Sequence, residues 1–253
     1  MKKTSLIVVA ALCVVCHLSA AEFNWKQLGD LYRAGDYANL ETAALAMKGD
    51  ANSDVRKGKI IESAALARLK LGRYPNTAAA LADIDALAGD LGIAVTHDLV
   101  QAAKLQLLYT RREHAAAVEL SASWAGARTL QRRGIALSAL KRYAEATAAF
   151  AASGAPGSLV NAAKAALQAK LPEKVYEYSL AAFANGDVKD AATGIQLVNA
   201  VLDADYTGTS VTSAKVKELL QIVNRKYSRK LVVNAPSKWD ELIQLVRQTL
   251  ETY

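Results

Sequence analysis

The chain is short of most of the residues from which active sites are built. Its 253 residues hold two cysteines, three histidines and four prolines, and aromatics make up only 6%. Both cysteines, Cys13 and Cys16, fall in one apolar stretch near the N-terminus. The chain beyond that stretch therefore has no disulfide and no thiolate ligand, and must be held together by packing alone. Beyond residue 21 its histidines are His97 and His114, with no Cys nearby and no His-x-x-x-His spacing. That pattern points to no metal and no metal-held cofactor. There is no G-x-S-x-G elbow, no G-x-x-x-x-G-K and no G-x-G-x-x-G, so the common nucleophile and phosphate-binding motifs are absent. Scarce aromatics also argue against a stacking platform for single-stranded nucleic acid. Asp83 and Asp85 are adjacent carboxylates, but two positions apart on a helix they face different ways.

The N-terminus reads as a targeting signal. Lys2-Lys3 precede an apolar run over residues 6–16, and Ser19-Ala20-Ala21 supply the small residues that a signal peptidase reads. The expectation is a signal peptide over residues 1–21, cleavage before Glu22, and export to the periplasm or the medium. The run is shorter than the roughly 20 residues a transmembrane helix needs, so no membrane span is expected in the mature chain. Lipid attachment at Cys16 is the lesser alternative, because Cys13-Val14-Val15 lacks the Leu-then-small pattern expected ahead of an acylated cysteine. The formal charge of +7 falls to about +5 without Lys2 and Lys3. A balance so mildly basic suits a solvated surface and gives no reason to expect nucleic acid as a partner.

Alanine-rich helical patterning fills the rest. Between residues 130 and 153, Leu130, Gly134, Leu137 and Leu140 share one helix face, and Ala146 and Phe150 share another after Lys141-Arg142-Tyr143. Small residues at Gly134 and Ala146 allow two helices to approach closely. Such a hairpin cannot bury both apolar faces alone, so copies are expected on either side. Four more share the theme. The first, residues 24–48, has Trp25, Leu28, Gly29 and Tyr32 before Gly35-Asp36-Tyr37. The second, 55–88, turns at Leu71-Gly72-Arg73-Tyr74, with Pro75 at the start of its second helix. The third is capped at Thr96, turns at residues 111–114 and carries Ala117, Leu120 and Trp124 on its second helix. The fifth, 158–185, turns at Leu171-Pro172. Beyond it, one helix is expected over 188–204, a basic amphipathic one over 213–227, and a last one capped by Ser237 with Trp239, Leu242, Leu245, Val246 and Leu250 on its buried face.

Gly134, Ala146 and Phe150, with Tyr143 at the turn, and the W-x-x-L-G-x-x-Y spacing of Trp25 to Tyr32, resemble the tetratricopeptide repeat. The resemblance implies an all-α, right-handed α-solenoid of TPR-like helix–turn–helix repeats over residues 22–186. Residues 187–253 would form a helical segment that continues or caps it. It also implies a concave face lined by the first helix of each repeat, and a non-enzymatic scaffold binding a peptide or protein partner there. Carried over by position, the groove residues would be Lys26, Asp30 and Arg33 in the first repeat, Glu62, Leu66 and Leu69 in the second, and Gln131, Ile135 and Ser138 in the fourth. Arg132 and Arg133 fall beside those positions. The alternative is an accessory or glycan-processing envelope protein with a cryptic site on the same helical frame.

Overall fold

The computed structural model describes residues 24–188 and 190–206. The expected leader, and the helices expected over 213–227 and after Ser237, lie outside the described residues. Among the described residues there are eleven α-helices and no strand. In chain order they are α1 (Trp25–Ala34), α2 (Tyr37–Ala46), α3 (Asp54–Lys70), α4 (Thr77–Asp90), α5 (Asp98–Thr110), α6 (His114–Leu120), α7 (Ala127–Ala139), α8 (Tyr143–Ser153), α9 (Ser158–Gln168), α10 (Pro172–Ala184) and α11 (Ala191–Tyr206). A short 3-10 turn, Met47–Asp50, comes after α2.

The first ten helices pair into five hairpins, and the five turns are built alike. At each, a residue two or three past the helix, Asp36, Arg73, Glu113, Arg142 or Leu171, donates its N–H to the carbonyl five positions earlier. The residue before it lies in the left-handed region: Gly35, Gly72, Arg112, Lys141 and Lys170, with φ between 57° and 73°. This double closure satisfies the last carbonyls of the first helix and aims the chain back along it. Glycine fits that conformation without steric penalty, and the first two turns have it. The last three carry a basic side chain there instead.

Helix starts are set by short polar side chains. Asn24, Asp36, Ser53 and Asn76 each accept an N–H from the first turn of the helix they precede. The cap of α5 is His97, whose Nδ1 accepts from Leu99, and not Thr96 as expected. Pro75 stands outside α4, ahead of the Asn76 cap, where its fixed φ and missing N–H cost nothing. Trp124 lies beyond the short α6, in the connection to α7, and packs on the core from there. The helix expected from Val188 begins at Ala191, with Val188 buried just ahead of it.

Packing runs from hairpin to hairpin. Helix α3 packs on α2, α4 and α5; α5 in turn packs on α7; α8 packs on α9, and α11 packs on both α9 and α10. In the fourth hairpin, Phe150 is buried over Gly134, where an added Cβ would meet the ring at 2.7 Å. Gly134 therefore makes room for the aromatic ring itself. In the first hairpin Leu28 is fully buried, while Trp25 and Tyr32 of the signature spacing are exposed.

Candidate functional site: a cleft across four first helices

A cleft of about 340 Å³ runs across the first helices of four successive hairpins. Its central wall is α3, whose Val55, Gly58, Lys59 and Glu62 fall at spacings of three and four and so share one face. Leu99, Ala102 and Ala103 of α5 form the floor by the same rule. Trp25 closes one side from α1, and Arg128 and Arg132, one turn apart on α7, close the other.

Two backbone approaches fix this geometry. A Cβ on Gly58 would come within 2.8 Å of the Cβ of Leu99, so only glycine lets α3 and α5 meet as they do. The start of α7 is held to α5 by Asp98. Its carboxylate accepts the N–H groups of Arg128 and Thr129, each at 2.8 Å. Asp98 thus does for α7 what a cap residue does for its own helix. Gly126, at the cap position, has no side chain because the carboxylate fills that space: a Cβ there would sit 2.0 Å from Oδ1.

The charges in the cleft are uneven. Glu62 is its single carboxylate, paired with Lys59 at 3.6 Å and with Arg132 at 3.1 Å. Arg128 adds a third cation whose guanidinium has no ion-pair partner among the described residues. The apolar end differs in character: Trp25 is 47% exposed and Val55 55%.

Of the nine groove positions carried over from the repeat pattern, Glu62 lines this cleft. Lys26 is exposed on α1, and Asp30 and Arg33 pair with each other one turn apart. Leu66 is buried, and Leu69 packs against the core of the first hairpins. Ile135 packs on the core of the middle hairpins. Gln131 donates to the carbonyl of Pro156, and Ser138 to the carbonyl of Gly134. The pair on α7 that lines the cleft is Arg128 and Arg132. Arg133 turns away to donate to the carbonyls of Ser121 and Ala122, at the end of α6. The i, i+4 spacing of Arg128 and Arg132 was visible in the sequence; their facing α3 was not.

The other polar clusters fasten hairpins together. Arg68 donates to Glu41 at 2.9 Å and to both oxygens of Asp83, while Tyr74 donates to Asp83 and Arg73 pairs with Glu41. Burial disfavours the Arg68 charge, but the bonds to Glu41 and Asp83 outweigh it and hold its pKa above the ordinary value. Burial and the bond to Asp83 likewise push Tyr74 up, keeping it a neutral donor. Asp85 faces the other way, to Lys104 of α5 at 2.6 Å. Glu113 accepts from Arg111 and from Thr77 of the preceding hairpin. The Arg111 bond outweighs desolvation and, with Thr77, lowers its pKa. His114 stacks against Tyr109 with ring centroids 4.9 Å apart.

Among the described residues no group of three or more His, Cys, Asp or Glu side chains is placed to hold a metal ion, and no helix is long and apolar enough to cross a membrane. No protein-family model, curated protein or solved structure matches the chain.

Proposed function

We propose that the chain is an exported, TPR-like helical-repeat protein that binds a peptide or protein partner in the groove along its first helices. In this reading the hairpins form a right-handed α-solenoid, residues 187–253 continue or close it, and the molecule acts as a non-enzymatic scaffold in a bacterial envelope. The observation that carries the reading is the cleft itself. Side chains from α1, α3, α5 and α7 meet in one trough, as a concave face built by successive first helices requires. The trough is open and mixes apolar with charged lining, which suits an extended segment better than an enclosed small molecule.

Site-directed photo-crosslinking tests it. A benzophenone side chain at Val55, at the mouth of the cleft, should capture one protein partner saturably in intact cells. The same group at Glu119, exposed on α6, should not. Labelling that is equal at both positions, or confined to non-protein material, would refute the groove assignment. Sequencing the N-terminus of the mature protein tests export: Glu22 is the expected first residue.

A further inference from the structure

We infer that the occupant of the cleft is an acidic peptide segment in which an Asp or Glu side chain is flanked by an apolar one. The inference rests on the groove reading above and adds the chemistry of the partner. Lys59, Arg128 and Arg132 outnumber Glu62 in the cleft, and these cations lie on two facing walls, α3 and α7. Glu62 is engaged by Lys59 and Arg132, but one contact leaves most of the Arg132 guanidinium donors unused. Arg128 stands one turn away with no ion-pair partner among the described residues. Asp98, the nearest further carboxylate on α5, is turned to the α7 amides and does not line the cleft.

An incoming carboxylate would accept from Arg128 and from the unused edge of Arg132, a charge-assisted contact that a guanidinium fork makes well. At the other end, Trp25 and Val55 expose apolar surface that a neighbouring Leu, Val or Phe of the same segment would cover. A basic segment would instead face three cations, and a wholly apolar one would leave Arg128 desolvated without a partner. A volume of about 340 Å³ lies at the small end of ligand sites, matching a side-chain pair and not a folded surface.

The test is selection of random dodecapeptides, acetylated and amidated at their ends, on the immobilised protein. The expected result is enrichment of Asp or Glu beside an apolar residue. The best peptide should weaken by about tenfold or more on Arg128→Glu/Arg132→Glu, and should weaken as salt rises. Arg128→Gln, at an exposed position whose side chain makes no ion pair among the described residues, keeps the test valid if the double variant does not fold, and should also weaken binding. Enrichment of neutral or basic peptides that still require the cleft would overturn the acidic assignment and leave the groove reading standing. If no sequence is enriched, both fall.

Discussion

Asp98 belongs to one hairpin and caps the next, and that single carboxylate explains two residues at once. Removing it in Asp98→Ala leaves the N–H groups of Arg128 and Thr129 without their acceptor. The expected cost is about 1–2 kcal/mol, as for loss of a cap. Gly126→Ala drives a methyl into the same space and should destabilise by a comparable amount. In the Asp98→Ala background the added cost should shrink without vanishing, because the contacts with Oδ1 and Cγ are gone while the Cβ of residue 98 stays 2.7 Å from the new methyl. Additive losses in urea titrations of the four proteins would show that the two sites are not coupled. The left-handed positions give a prediction of opposite sign. Lys141→Gly relieves a strained φ of 60° and should stabilise the fold by up to about 1 kcal/mol, read as a higher urea midpoint with an unchanged m-value. A fall in the midpoint would mean that the lysine side chain holds the turn.

At the scale of the element, the fourth hairpin rests on one ring. Phe150 is 4% exposed and lies against Gly134, so Phe150→Ala should cost about 3–5 kcal/mol. An unchanged melting temperature would contradict that packing. Glu113, at the turn of the third hairpin, makes stability depend on pH. Its folded pKa lies below the ordinary value of 4.5, so the stabilisation is complete above that value and is lost as pH falls through the depressed one. Wild type should therefore lose more stability than Glu113→Gln as pH drops below about 4.5; parallel pH profiles would exclude Glu113 from the acid response. The hairpins themselves were legible in the sequence, since apolar spacings of three and four and the turns at Gly35 and Gly72 are local signals. Arg112, Lys141 and Lys170 gave no such signal, because the turn geometry imposes the left-handed conformation on whatever residue stands there. The cleft was legible only at Glu62. Its other walls depend on how α5 and α7 lie against α3, and contacts such as Asp98 to Arg128 join residues 30 positions apart that no periodicity links.

At the largest scale, the described residues are tied together by two helices that serve two cores each. Val100, Ala103 and Leu107 of α5 join the core of the first two hairpins, while Leu105 and Leu108 of the same helix join that of the third and fourth. Helix α9 repeats the arrangement, with Ala162 and Ala165 on the middle core and Val160, Ala163 and Ala166 on the last. A helix so used needs a wide apolar arc, which α9 has on every side but that of Asn161, Lys164 and Gln168, and its alanines let neighbours close on both edges of that arc. The consequence is that damage should spread toward the side on which it is made. Leu105 and Leu107 are two residues apart, both fully buried, and point into different cores. Each mutation to Ala should cost about 2–5 kcal/mol locally. Because the two side chains lie in separate cores, the losses should appear in different places. Leu107→Ala should accelerate amide hydrogen exchange chiefly in α2, α3 and α4, and Leu105→Ala chiefly in α6, α7 and α8. Identical exchange maps would mean that the described residues unfold as one cooperative unit, and that α5 is a rigid spine and not a joint between two cores.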